Sequence, residues 1–297
     1  MYHLPVLLHD SIEGLNIKPE GLYVDVTFGG GGHSLQILNR LTTGHLFGFD
    51  QDKDAEANVF DDERFTFVPQ NFKYLRNFLL LHGVKKVDGI LADLGVSSHQ
   101  FDVADKGFST RLEGQLDMRM DQNNPLNAAL IINSYAEENL STVLWKFGEL
   151  PNARRIAQTI VSARNIKPIQ STFDLKEAIR KHLPRNKENK VLAQVFQALR
   201  IEVNQELNVL ELFLNQCAGL LNPGGRLVVI SYHSLEDRMV KNFMKSGNAQ
   251  GEIEKDFFGN DLSPYRLISR RAIIASEEET GQNSRSRSAR LRIGEKK

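Results

Sequence analysis

A chain of 297 residues, 41% hydrophobic and 25% charged, can bury a large core and fill one large domain or two of moderate size. No apolar run approaches the ~18–20 residues that span a bilayer, Met1–His9 lacks the basic start and small-residue cleavage site of a signal peptide, and the single cysteine, Cys217, excludes an intramolecular disulfide and a cysteine-cluster metal site. The 37 basic and 37 acidic residues cancel overall but not locally: 1–105 carries 8 basic against 15 acidic, 106–200 carries 15 against 9, and 201–297 carries 14 against 13.

In chain order, apolar runs predict strands at 22–26, 45–50, 65–69 and 87–94, with helical spacing at 34–41 and 71–82 between them. Alternation of this kind builds a parallel α/β sheet. From Pro125 to about Lys190 strand signals stop, and 128–134, 138–146, 152–165 and 172–182 read as helices. One long amphipathic helix is expected from Val191 to Leu221. Asn222-Pro-Gly-Gly225 ends it, and Arg226–Ser231 restarts the sheet. Arg266–Ala275 suits an edge strand, Glu277–Ser288 a loose polar segment, and Ala289–Ile293 a last short strand. The expected organisation is a discontinuous domain of 1–105 and 201–297 interrupted by a helical insertion at 106–200. Within that insertion, 150–200 holds 11 basic and 3 acidic residues, which suits either a phosphate-binding surface or a solvated helical face.

Leu22-Tyr-Val-Asp-Val-Thr-Phe-Gly-Gly-Gly-Gly-His-Ser34, followed by His45–Asp50, has the layout of a βαβ unit that holds a nucleotide-like cofactor. A dinucleotide site wants G-x-G-x-x-G. Counting from Gly29 or Gly30, the third glycine is instead Ser34 or Leu35. Asp50 ends the second strand 21 positions after Gly29 and can accept both hydroxyls of a ribose, a group shared by NAD and S-adenosylmethionine. Leu221-Asn-Pro-Gly-Gly-Arg-Leu-Val-Val-Ile230 resembles the L-x-P-G-G-x-strand element of class I S-adenosylmethionine-dependent methyltransferases, which favours the methyl donor. The fold class expected is therefore α/β, a class I S-adenosylmethionine methyltransferase fold (Rossmann-like, mainly parallel sheet) with an inserted all-helical domain.

Longer stretches narrow the resemblance. Asp25–Ser34 resembles the D-x-T-x-G-x-G-G-H-S motif of the RsmH (MraW) family, and Asp88-Gly-Ile-Leu-Ala-Asp-Leu-Gly-Val-Ser-Ser-His-Gln100 its D-G-I-L-x-D-L-G-V-S-S-x-Q. Gly107-Phe-Ser109, Leu116–Asp121, Arg154–Ala157, Phe196–Ile201, Ile230–Arg238 and Ser284–Ile293 are similar to further family motifs, so the resemblance covers nearly the whole chain. The chain departs from the family pattern at Glu113, Gln115 and Ser284, where Asp, Pro and Pro are usual. The resemblance implies an S-adenosylmethionine-dependent enzyme that methylates N4 of a cytidine in the decoding region of 16S rRNA; naked rRNA and the assembled small ribosomal subunit both stay open as the substrate, and the single cysteine suits a reducing, cytoplasmic setting. Cofactor contacts carried over from the family fall on Gly31, Gly32, His33, Asp50, Phe72, Asp93 and Gln100. Taken alone, Phe72 would be an ordinary core aromatic and His33 a helix-start residue. No membrane partner is expected, and the oligomeric state, a homodimer included, stays open.

An exocyclic cytosine amine is a poor nucleophile because its lone pair is delocalised into the ring. Catalysis must align it with the methyl carbon, a contribution worth up to about 7–11 kcal/mol in well-oriented systems, and must accept one of its N–H hydrogen bonds. Asp93, at the end of the fourth strand, is the first candidate for that acceptor; its other role would be to hold the cofactor's amino-acid end. His233, after the 226–231 strand, would contact the base or a phosphate, or serve only the turn. Covalent C5 chemistry needs a thiolate, and Cys217 reads as a small buried helix residue. The scattered histidines offer no clear metal-ligand set. Arg154, Arg155, Arg164, Lys167, Arg180, Lys181, Arg185, Lys187 and Lys190 are candidates for an RNA-backbone face, with Arg285, Arg287, Arg290 and Arg292 as a second patch. The competing classes are a ribosome-assembly factor that binds the cofactor without catalysis, and a small-molecule methyltransferase or NAD enzyme.

Overall fold

The structure, a computed structural model, describes residues 5–96 and 98–297. The chain forms two compact units, Met1–Gly95 with Leu207–Lys297, and Val96–Glu206. The divisions fall ten residues before and six after those expected from composition, because Val96 and Phe101 at one end and Val203 at the other belong to the core of the second unit.

The first unit runs α1 (Leu8–Leu15), β1 (Leu22–Asp25), α2 (Gly32–Leu38), β2 (His45–Phe49), β3 (Phe65–Val68), α3 (Leu75–Leu81) and β4 (Val87–Asp93) before the chain leaves it. The second unit contains α4 (Ser98–Asp102), α5 (Ala128–Ser134), α6 (Glu137–Gly148), α7 (Ala153–Arg164), α8 (Thr172–Ala178) and α9 (Glu188–Asn204). The chain then continues with α10 (Glu206–Leu220), β5 (Leu221–Ser231), α11 (Ser234–Ser246), β6 (Tyr265–Leu267), α12 (Glu277–Gln282) and β7 (Arg290–Lys296).

One seven-stranded sheet has the order β3-β2-β1-β4-β5-β7-β6. The pairs from β3 through β5 are parallel, while β7 runs antiparallel to both β5 and β6. This is the sheet of the class I S-adenosylmethionine methyltransferases expected above. Successive strand residues point to opposite faces, and the sequence supplies apolar side chains to both. Val24, Val26, Ile90, Ala92, Leu227 and Val229 pack with α3, α10 and α11 residues such as Leu79, Phe213 and Phe243. Tyr23, Leu91, Val228 and Ile230 pack with Ile12 and Leu15 of α1 and Ile37 of α2. Central parallel strands covered on both faces read as unbroken apolar runs, which is why the sequence located them.

Four segments differ from expectation. The helix predicted over 191–221 is two helices: Gln205 takes φ 53°, outside the helical region. Beside it the Asn204 side chain is committed elsewhere, donating to the Met118 carbonyl and accepting from Met120 N–H, both at 2.8 Å. Asn222-Pro-Gly-Gly225 is a bulge inside β5, not a gap before it: Leu221 already pairs with Val87, and the register resumes with Arg226 beside Gly89. The polar stretch expected to be loose, 277–288, is helical. Ser276 Oγ caps α12 through Glu279 N–H at 3.1 Å, and the Glu279 carboxylate accepts Leu7 N–H at 2.7 Å, tying the segment to the start of α1. The expected edge strand at 266–275 is reduced to β6 and a single bridge from Ile273 to Leu291.

The second unit buries Leu140, Leu144, Ile156, Ile160, Val195 and Leu199 from α6, α7 and α9 in its own core. The loop carrying Glu113 and Gln115, where the family usually has Asp and Pro, is held without the proline. Gln115 bridges Ser171, and Leu116 N–H donates to the Gln170 carbonyl at 2.9 Å.

Candidate active site

In an open α/β sheet, ligands sit beyond the carboxyl ends of the strands where the strand order reverses. Here that point lies between β1 and β4, and the polar residues of the first unit converge on it. The glycine loop follows β1. Gly29 and Gly31 hold φ of 51° and 74°, and a Cβ on Gly32 would lie 2.3 Å from Pro5 Cγ, so no larger residue fits that turn. The loop rests on an aromatic floor, with Phe28 5.2 Å from Phe65 and 5.5 Å from Phe60, centroid to centroid.

Asp50, one residue past β2, ties the loop to the sheet. Its Oδ2 accepts Gly29 N–H and its Oδ1 accepts Asp52 N–H, each at 2.8 Å. Burial pushes its carboxyl up to about 6, even though both amide bonds favour the charged form. Asp25, at the end of β1, is 1% exposed. It accepts Ser34 Oγ at 2.7 Å and Thr27 N–H at 3.0 Å, and burial raises its pKa against the opposing pull of His33 and these hydrogen bonds.

Asp93 completes the group from β4. Thr27 Oγ1 accepts Asp93 N–H at 2.7 Å, which locks the ends of β1 and β4 together. The Tyr232 hydroxyl donates to Asp93 Oδ1 at 2.8 Å, and His33 Nδ1 lies 4.0 Å from Oδ2. The side chain keeps 22% of its surface open, and burial of the remainder raises its pKa against the influence of His33 and Tyr232. His33 Nε2 is 3.1 Å from the Val6 carbonyl. A carbonyl can only accept, so Nε2 carries the hydrogen and Nδ1 is the atom that faces Asp93.

This arrangement fits one cofactor class better than the other. Asp25, Asp50 and Asp93 bring three carboxylates to the site, and the loop from Asp25 to Ser34 contains neither Lys nor Arg. A pyrophosphate would be repelled there, whereas the sulfonium and ammonium charges of S-adenosylmethionine are complemented.

Five of the seven expected cofactor residues, Gly31, Gly32, His33, Asp50 and Asp93, meet at this edge. Phe72 follows β3 and packs edge-on against Phe213 at 5.2 Å, half-buried, next to Asn71, whose amide donates to Gln51 at 2.6 Å. Gln100 is 5% exposed in the second unit. The His233 side chain caps a helix. Its Nδ1 accepts Glu236 N–H at 3.4 Å, capping α11, and its Nε2 lies 3.1 Å from Glu236 Oε1, with the side chain only 7% exposed. The neighbouring Tyr232 reaches Asp93 instead. Tyr232, Thr27 and Ser34 were missed as site residues because a hydroxyl in a motif carries no sign of which carboxylate it will face. Cys217 is buried, and burial drives its thiol well above the usual value, so it is no thiolate nucleophile.

The chain matches the MraW methylase family over residues 1–297. It belongs to that family. It is 57% identical to the Ribosomal RNA small subunit methyltransferase H of Flavobacterium johnsoniae, over 99% of this chain and 98% of that protein. It is 56% identical to the proteins of that name from Phocaeicola vulgatus and Bacteroides thetaiotaomicron, over 100% of this chain and 98% of each of them. The chain is accordingly a methyltransferase that uses S-adenosylmethionine.

The expected basic face is only partly available. Arg164 donates to the Ile132 and Tyr135 carbonyls at 2.7 and 2.8 Å, and Lys167 and Arg180 pair with Asp174 and Glu177. Arg290 and Arg292 are bound to Asp237. Arg154, Arg155, Lys181, Arg185, Lys187 and Lys190 are exposed. Thr159 Oγ1 lies 2.8 Å from His182 Nε2, and both Arg155 and Lys181 act electrostatically on that imidazole, so the two cations share one surface. No described helix is long and apolar enough to cross a membrane.

Proposed function

We propose that the chain methylates N4 of a cytidine in 16S rRNA within the small ribosomal subunit, in the cytoplasm, with the 96–206 unit gripping the RNA backbone. The observation that carries this reading is the 54–57% identity, over essentially full length, to proteins named for methylation of small-subunit ribosomal RNA. The intact carboxylate cluster favours an enzyme over a cofactor-binding assembly factor that has lost catalysis.

S-adenosylmethionine supplies a methyl group made electrophilic by its sulfonium. Asp50 would accept hydrogen bonds from the ribose hydroxyls, and the glycine loop allows the backbone to approach the methionine end. Tyr232 donates to Asp93 Oδ1, and Oδ2 would accept an amine N–H. Such a bond draws the nitrogen lone pair out of conjugation, and Asp93, held on a strand end by Thr27, positions the amine for in-line attack. Transfer of the methyl carbon from sulfur to nitrogen would break the S–C bond as the N–C bond forms, and Asp93, whose raised affinity for protons suits it as the base, would take the amine proton.

The target base must leave its stack or lie in an open structure. Exposed cations such as Arg154, Arg155 and Lys181 contact phosphates without reading sequence. The test is incubation with a tritiated methyl donor and small subunits lacking the modification, followed by nucleoside analysis. Label on cytidine N4 is expected, and label on any other atom overturns the assignment.

A further inference from the structure

Residues 254–262 form a small hairpin that the methyl-transfer site does not use. Leu262 N–H donates to the Glu254 carbonyl at 2.8 Å, Asp256 N–H donates to the Asn260 carbonyl at 2.9 Å, and Lys255 bridges Asp261. The Asp256 carboxylate fixes the tip, accepting Phe258 N–H and Asn260 N–H at 2.8 Å each. This ordered tip presents Phe257 and Phe258, 98% and 86% exposed, with ring centroids 5.7 Å apart and nearly perpendicular. Two adjacent, fully solvated aromatics on a turn pinned by four or more hydrogen bonds are poor for solubility and mark an interaction site.

Their position excludes a part in holding the target base. The hairpin leads directly into β6, where Tyr265 pairs with Lys296 of β7, and β7 is antiparallel to β5, with Ser231 beside Arg290 and Arg226 beside Glu295. The hairpin therefore lies toward the edge of the sheet where the parallel strands begin, opposite Asp50 and Asp93.

Charge selects the partner. Residues 251–262 carry Glu252, Glu254, Asp256 and Asp261 against Lys255 alone, a net charge of −3, and Glu252, Glu254 and Asp261 are exposed. A base-stacking platform for RNA needs cations around its aromatics; this one has carboxylates. We infer that the Phe257–Phe258 hairpin is a docking knob for a cationic protein surface with an apolar cleft, a basic protein of the small ribosomal particle that carries the RNA substrate. Aromatic anchors ringed by complementary charge are the usual makeup of such a contact. The inference rests on the reading that the particle is the substrate.

The test uses the full-length protein and purified small subunits. A photo-crosslinking phenylalanine analogue replacing Phe257 is expected to label a basic ribosomal protein. Phe257→Ser/Phe258→Ser is expected to weaken sedimentation with the subunit by about tenfold or more, with unchanged melting temperature and S-adenosylmethionine affinity. Glu252→Lys/Glu254→Lys is expected to weaken it further as salt is lowered. If RNA were the partner, those two lysines would tighten binding instead. Crosslinks to rRNA alone, crosslinks to a second copy of this chain, tighter binding by the lysine variant, or unchanged binding by the serine variant would each overturn the inference. Failure of the wild-type protein to methylate the particle would sink the functional reading and leave the crosslinking and sedimentation readouts to decide the docking knob separately.

Discussion

Asp50 should make cofactor affinity pH-dependent in a range where an ordinary aspartate would not. Burial sets its carboxyl at about 6. The ionised form can accept two ribose hydroxyls while still accepting Gly29 and Asp52 N–H. Protonation turns one acceptor site into a donor and removes the charge from the remaining bonds. Hydrogen bonds to charged groups contribute about 1.5–3 kcal/mol against about 0.5–1.5 for neutral ones, so losing the charge on two bonds weakens binding by about tenfold or more. Linkage gives a similar figure. Affinity that requires the ionised acid falls by about tenfold between pH 7 and pH 5 for a group at 6, and by less than about a tenth for one at the usual value near 4. Calorimetric titration of S-adenosylmethionine from pH 5 to 7.5 reads this directly. Asp25 and Asp93 also have raised values, so Asp50→Asn is the control: it should bind at least about tenfold more weakly at pH 7.5 and lose most of the slope. A flat wild-type profile, or an Asn variant that keeps the slope, refutes the assignment of Asp50 to the ribose.

Asp93→Asn should abolish single-turnover methylation even at saturating cofactor; near-normal turnover would remove Asp93 from catalysis. Tyr232→Phe removes a hydrogen bond that lowers the Asp93 pKa, so the acid limb of the rate profile should move to higher pH, with the maximal rate falling less than in Asp93→Asn. Asp237 is paired with Arg292 and Arg290, which hold its carboxyl below the usual range although burial opposes them. Its folded value is depressed, so its stabilisation is present above about pH 4 and is lost as pH falls through the folded value. Asp237→Ala should cost about 3–5 kcal/mol at neutral pH, read by denaturant titration. Arg154→Ala/Arg155→Ala/Lys181→Ala should weaken RNA binding and reduce the slope of log affinity against log salt, each lost phosphate contact removing about 0.7–0.9 from it. An unchanged slope would move the RNA face elsewhere.

Fold and cofactor site were visible in the sequence to different depths. The strands of the parallel sheet are buried on both faces, so their apolar runs stand out. The glycine loop stands out because only glycine meets its backbone demands. Tertiary partners decided the rest. Gln205 breaks a helix that periodicity alone continues, because its neighbour Asn204 bonds a loop 84 and 86 positions away. The 277–288 stretch is helical because Glu279 finds Leu7 across 272 residues. His233 and Tyr232 are adjacent in the motif, yet one caps a helix and the other bonds Asp93. That choice is made by the direction of the chain leaving β5, which spacing does not encode.

The placement of β7 governs how the protein is made. It is the last of the seven strands in the chain, yet it lies inside the sheet, between β5 and β6. Until residues 290–296 have been translated, β5 presents an open edge flanked by Leu227, Val228, Val229 and Ile230, the type of surface that recruits foreign strands. Arg290 and Arg292 then arrive on that same strand to neutralise Asp237 on α11. Edge closure and charge neutralisation thus happen in one late step. From the translation of β5 until that of β7 the nascent chain carries this unpaired edge, and it loses it when residues 290–296 pair.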